Sequence, residues 1–427
     1  MRTHRPLWTL LALVAVLLGS AACSASGQGR VTVLASWTGA EEEDFRKVLT
    51  AFTAKTGIDF DYRGTRAVDQ VLASDVQRGT PPDVAVLPNP GSLAGYAHQG
   101  KIKPLGEVLG EQPAGSWQTL EKVGTPQQYG VAVKADLKSA VWYAVANLPG
   151  PKPATWAELL ALSGKLTADG RTPWCLGLGA PPTSGWPGTD WIEDILLHSA
   201  GPEFYRGWAA GKVAWTAPEI RKAWTDWGDL ITPPGAVRGG AAAALLTTFG
   251  DAGRPLFTTP SGCLLEHQAS FTMGGYRRLH REPGRDFDFF RFPGPEVSEV
   301  SADLAGMFND TPQARELMKF LASDEAQRIW PEIHRGSVFS VNKTVSAVYD
   351  DRVSRRVAAI LTSSRQPLCF DASDLMPATM TGAFYRAVLE YVNNPGRLPD
   401  LLTQLETVRR SVPKGDWLDV PCGQLGR

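Results

Sequence analysis

Histidine is scarce in this chain, six among 427 residues, and no two stand at the spacing that lets a helix hold a metal. The sequence also has no Gly-x-Ser-x-Gly elbow, no His-Glu-x-x-His and no phosphate loop. Elbow-type serine hydrolases, zinc peptidases and P-loop nucleotide hydrolases are thereby excluded. A glycosidase is not, because it needs only two carboxylates flanking a sugar, which no linear motif reveals. Charge of one sign is missing too. With 43 basic and 44 acidic residues there is no basic patch to argue for nucleic acid. Internal repeats are absent, and beyond the N-terminus no apolar run approaches the roughly 20 residues that span a bilayer.

The one long apolar run lies at the start. Arg2 and Arg5 lead into Leu7 to Leu18, and Gly19, Ser20, Ala21, Ala22 and Cys23 follow. A short apolar stretch ending in small residues reads as an export signal over residues 1–22. Cysteine at the junction resembles the bacterial lipoprotein pattern, so Cys23 is expected to carry lipid, with residues 23–30 as a polar tether. Ser20 departs from the aliphatic residue usual at that position, which leaves plain secretion as the alternative. Export makes the five cysteines readable, because disulfides persist outside the cytoplasm. With Cys23 set aside an even set remains. Pairing Cys175 with Cys263 and Cys369 with Cys422 keeps each bridge within one half of the chain, against the alternative of buried free thiols.

Removing the signal takes two basic residues and no acidic one, leaving a net charge near minus three. About 400 residues exceed what one core usually serves, so two lobes are expected. Val31 to Trp37 reads as a strand, and Thr38 with Glu41 as a capping box opening a helix that Gly57 ends. Ile58 to Tyr62, Ala67 to Arg78 and Asp83 to Leu87 continue a βαβαβ pattern, which implies a mostly parallel sheet with ligand loops at the strand carboxyl ends. Val131 to Ala144 reads as an extended crossover away from this lobe. Thr155 with Glu158 and Asp190 with Glu193 are further capping boxes, Asp286 to Pro293 a strand, Thr311 to Trp330 one amphipathic helix, and Gly382 to Arg410 helical.

In order, VTVLASWTGAEEEDF, GTPPDVAVLPNPG, the Val141-Trp142-Tyr143 strand, RTPWCLGL, GWPGTDW and MFNDTPQARELMKFLAS resemble the family 1 extracellular solute-binding proteins of ABC-type carbohydrate importers. The resemblance covers nearly the whole chain after the signal, and is strongest to the branch that binds oligosaccharides such as α-glucosides. It implies a periplasmic-binding-protein-like, type II-like α/β fold: two lobes joined by a hinge, with a ligand cleft between them. Lobe 1 is expected at 31–137 plus 302–347 and lobe 2 at 138–301 plus 348–427. The implied protein is no enzyme and needs no cofactor or metal. It is a monomer, held to the outer face of the membrane by its lipid, and passes a sugar to permease subunits.

A pyranose has apolar faces and a rim of hydroxyls, so its site needs aromatic platforms, carboxylates and arginines in a concave place. Trp37 falls at the end of the first strand, and Glu42 sits with Glu41 and Glu43 in the first turn of the next helix, where the dipole favours acids with or without a ligand. Arg66 follows the second strand. In GWPGTDW the glycines and proline argue for a loop displaying Trp186, with Trp186 or Trp191 as the stacking platform, the other being core, and Asp190 as a hydroxyl acceptor or a helix cap. Trp208, Trp215, Trp224 and Trp227 read as core. On family grounds Asp303, Arg335, Gly336, Asp371 and Asp374 join the candidates, one of the last two as a structural cap. Near-neutral charge with abundant tryptophan favours sugar over a polyamine, a glycerophosphodiester or a phosphonate; a ligand-free surface lipoprotein is the remaining rival.

Overall fold

A computed structural model describes residues 29–110, 117–334, 338–363 and 365–423. The signal, Cys23, most of the tether, Arg335 and Gly336 lie outside the described residues. Among those described, no helix is long and apolar enough to cross a membrane.

Two sheets organise the described residues. The larger has six strands: β1 (Arg30–Ala35), β2 (Asp59–Gly64), β3 (Val84–Leu87), β4 (Gly130–Leu137), β8 (Ser298–Met307) and β9 (Leu368–Phe370), in the order β2-β1-β3-β8-β4 with β9 on β8. β1 pairs parallel with β2 and β3, whereas β8 runs antiparallel to β3 and β4, so the sheet is mixed. The smaller sheet is antiparallel, with β5 (Ala140–Ala144) between β6 (Leu265–His267) and β7 (Phe287–Arg291). Only Lys138 and Ser139 separate β4 from β5, so the expected crossover is where the chain passes from the larger sheet to the smaller one.

Side-chain alternation decides what the larger sheet separates. Val31, Val33 and Ala35 of β1, Val84 and Val86 of β3, and Val131 and Val133 of β4 face a core closed by helices Ala40–Thr56, Pro312–Leu321 and Asp324–His334. Leu34, Ala85, Leu87, Ala132 and Leu304 point the other way, into a core that continues through Trp142 and Phe289 of the smaller sheet. The βαβαβ opening is thus observed as read. Trp208, Trp215, Trp224 and Trp227 are buried in the second core, with Trp208, Trp215 and Trp224 around Phe384 and Trp227 stacked on Tyr391.

Local signals were met unevenly. The Thr155–Glu158 box is formed in both directions at helix Trp156–Ala168. The Thr38–Glu41 box is not: Gly39 caps helix Ala40–Thr56 without a side chain, because Glu41 turns toward cations described below. Asp190 with Glu193 is no box either, since helix Trp186–Ala200 begins at Trp186 and buries both acids in its interior. Its entry requires glycine at 185, where φ is 110° and a Cβ would stand 2.3 Å from the Tyr385 carbonyl oxygen. The helix expected over Thr311 to Trp330 divides at Ala322 and Ser323, where the Ser323 hydroxyl accepts the Ala326 N–H and opens a new turn. The C-terminal region likewise forms two helices, Ala378–Asn393 and Leu398–Ser411, parted by Pro395. Both expected disulfides are present, Cys175–Cys263 and Cys369–Cys422.

Candidate functional site

The parallel strands β1 and β2 end side by side, and there the first lobe presents charge. Arg66, just past β2, donates to Glu41 at 2.8 Å, and Glu41 also faces Lys134 Nζ at 3.5 Å. Lys134 is buried on β4, with Asp136 at 3.4 Å and Asp303, its cross-strand partner on β8, at 3.8 Å. Asp136 accepts from Ser270 of the other lobe at 2.8 Å. Burial would raise Glu41, but Lys134 and Arg66 outweigh it and hold its carboxyl below the usual range. Burial also dominates at Asp303. Lys134 opposes it and Asp136 and Glu41 add to it, with the result that Asp303 is pushed up to about 6.

The second lobe answers with aromatic rings. Trp186, Phe249 and Phe271 are half-buried and mutually in contact, with centroids 5.0, 6.0 and 5.9 Å apart. Each ring has a cation over it: Arg66 over Phe249 at 6.0 Å, Lys134 over Phe271 at 5.7 Å and Lys138 over Trp186 at 5.1 Å. Flat apolar faces on one side and carboxylates and cations on the other are the two surfaces a polyhydroxylated ring needs.

Of the sequence-predicted residues, Arg66, Asp303 and Trp186 meet here. Trp186 occupies the first position of a helix, not a loop; glycine at 185 turns the chain into that helix, and the ring meets Phe249 and Phe271. Glu42 lies one residue from this group but pairs with Arg46 at 2.9 Å. Trp37 is a core residue, only 2% exposed, wedged against Phe45 and Trp330, so neither ring face is open to a ligand. Trp191 is equally enclosed, by Trp174, His267 and Phe292. Asp190 and Asp371 are buried about Lys138, at 2.9 and 2.8 Å, and Asp371 also caps the turn Ala372–Leu375 by accepting from Asp374 N–H. Asp374 is buried beside them. Burial pushes Asp190 up to about 6, Lys138 pulls the other way and Asp371 adds to the rise.

Lys134, Asp136, Ser270, Phe249 and Phe271 went unnoticed in the sequence. A signal existed for the first two. In GVAVKADLKSAVWYA, charges at 134, 136 and 138 alternate in an apolar extended stretch, so all fall on one side of a strand. Asp190, Glu299 and Asp371 bring carboxylate oxygens within 4.8 Å of one another, a grouping of the kind that holds cations. The Lys138 ammonium, against two of the three, already supplies the positive charge there.

Residues 38–328 match the family described as bacterial extracellular solute-binding protein, and the chain belongs to that family. It is 34% identical over 403 residues to the osmoprotective compounds-binding protein GgtB of a Synechocystis species, covering 90% of this chain and 93% of that one. It is also 34% identical over 384 residues to the alpha-glucosides-binding periplasmic protein AglE of Rhizobium meliloti, covering 85% and 83%. Among solved structures, the bacterial solute receptor AcbH, described as exclusive for β-D-galactopyranose, superposes with a TM-score of 0.76 at 17% identity, over 90% of this chain and 98% of that one. The fold is therefore the two-lobe fold of solute-binding proteins, a class of binding proteins and not of enzymes.

Proposed function

We propose that this protein captures a neutral sugar, an oligosaccharide of α-glucoside size, between its lobes and delivers it to the permease of an ABC importer. The observation that carries this reading is the Trp186–Phe249–Phe271 floor opposite Arg66, Glu41 and Lys134. Opposed charges beside these rings balance one another, as suits an uncharged ligand, whereas a polyamine or phosphodiester would call for an excess of one sign. The 34% identical relative named for alpha-glucosides points to the same ligand class.

In this reading lobe 1 comprises 31–137 and 302–347, and lobe 2 comprises 138–301 and 348–427. Ligand bridging the two shifts the population toward a closed form that the permease recognises. Cys23 carries lipid, and the tether keeps a monomeric binding protein close to its importer, where a high effective concentration favours delivery. Glu42, Asp374, Arg335 and Gly336 are kept as peripheral ligand candidates. Trp37, Trp191 and Asp190 are reassigned to support, two by their packing and one by its ion pair.

A thermal-shift screen of trehalose, maltose, sucrose, spermidine and glycerophosphocholine tests the ligand class, because a solute that binds only the folded state raises its stability. At least one sugar should raise the melting temperature. A response to spermidine or glycerophosphocholine alone would overturn the reading. For the responding sugar, Trp186→Ala should weaken affinity about tenfold or more in calorimetry, the scale of a lost aromatic contact.

A further inference from the structure

The lobe crossing is built around far more buried carboxyl groups than one ammonium neutralises. Lys138 stands between β4 and β5 and holds Asp190 and Asp371. Next to it the Ser139 hydroxyl donates to Asp194 and accepts the Glu299 N–H at 2.7 Å, while the Lys138 N–H donates to the Glu299 carbonyl at 2.9 Å. Both crossing strands, β4–β5 and β8, are thereby fastened to helix Trp186–Ala200. Glu299 itself is fully buried, and neither of its carboxyl oxygens has a hydrogen-bond partner. That is an untenable place for a carboxylate and an acceptable one for a neutral acid.

The surroundings agree. Glu193 is buried, accepts from the Ala372 N–H at 2.7 Å and the Tyr205 hydroxyl at 3.2 Å, and faces Asp371. Asp374 lies beyond Asp371, close to Tyr385. From β6, His267 meets Asp194 at 2.7 Å; His198 stands 3.5 Å from the same carboxylate, and Arg291 of β7 is near enough to feel its charge. These groups address Asp194; the cation that reaches Glu193 and Glu299 is Lys138, which Asp190 and Asp371 already hold at 2.9 and 2.8 Å. Burial, followed by repulsion from neighbouring acids, raises Glu299, Glu193 and Asp374 well above the usual carboxyl range.

We propose that this cluster is a proton-operated lock on the lobe crossing: Glu299 and Glu193 hold protons at neutral pH, and their loss in alkali loosens the strands joining the lobes. The sign follows from linkage. An acid that keeps its proton more firmly folded than unfolded stabilises most at low pH, and that contribution is lost as pH rises through the folded-state titration.

Infrared spectroscopy of the full chain tests the first half. A protonated-carboxyl band should persist at neutral pH and lose intensity in Glu299→Gln; no such band in the wild type would overturn the proposal. Glu299→Gln keeps the shape of a neutral acid, so its melting temperature at neutral pH should match the wild type, whereas a large fall would mean that Glu299 acts as an anion. Amide exchange at Lys138 to Val141 tests the lock. Corrected for intrinsic chemistry, it should speed about tenfold from about pH 6 to about pH 10 in the wild type and much less in the variant. Equal slopes would overturn the lock. If Glu299→Gln does not fold, Glu193→Gln takes its place in all three measurements, and an unchanged carboxyl band in that variant would overturn the proposal.

Discussion

Lys134 and Lys138 lie on the same crossing segment, both buried, both beneath an aromatic ring and both among several acids, yet they are held differently. Lys138 has two carboxylates at 2.8 and 2.9 Å, hydrogen-bonding distance, supplied by elements of one lobe. Lys134 has three at 3.4 to 3.8 Å, one of them Glu41, which sits on a half-buried helix start and reaches out to Arg66. Short closed contacts make an internal fastening. Long contacts leave donors and acceptors that a hydroxyl can enter, so under the proposed function the same residue type would serve as structure at one position and as recognition surface at the other.

Lys138→Met should have the largest effect. It strands Asp190 and Asp371 without a counter-charge, at a cost of about 3–5 kcal/mol in denaturant unfolding. If it is tolerated, the fastening is not where the short contacts place it. Lys134→Met should destabilise less, by about 1–3 kcal/mol, because its acids are looser and can take up protons; the responding sugar should bind at least about tenfold more weakly. Equal destabilisation by the two variants would erase the distinction between them.

Asp303 sharpens the comparison through pH. Its folded-state value of about 6 stands above the ordinary 3.8, so its contribution to stability is full below about pH 4 and is lost as pH rises through about 6. Asp303→Asn should flatten the pH dependence of the melting temperature across that window, by an amount equivalent to about 2–3 kcal/mol at about 1.4 per unit. A slope identical to the wild type would remove Asp303 from the Lys134 group. Arg66→Ala should be the mildest change, about 0–1 kcal/mol in stability, because its pair with Glu41 is partly exposed. Its effect should appear in affinity instead.

Much of the scaffold was legible because it rests on local rules. The strand read at Val31 to Trp37 and the helix that Gly57 ends are both observed, and the odd cysteine count suggested the two bridges that are observed. The tryptophans divided less cleanly. Those at 208, 215, 224 and 227 follow the ordinary rule for helices, but Trp37 and Trp186 each stand at the edge of an element, and only packing distinguishes the enclosed ring from the open one. Phe249 and Phe271 lie far apart in sequence from Trp186 and from each other, so no window contains the floor they build. Glu41 misled because a capping box and a cleft carboxylate require the same residue at the same spot. Tertiary attraction by Arg66 and Lys134 decided between them.

The core behind Leu34 and Leu87 runs without interruption into that of Trp142 and Phe289, so apolar packing does not respect the division into lobes. A calorimetric scan should therefore show a single heat-absorption peak for both lobes, because exposing either one bares a surface that belongs to both; two resolved peaks would show that the shared core does not couple them.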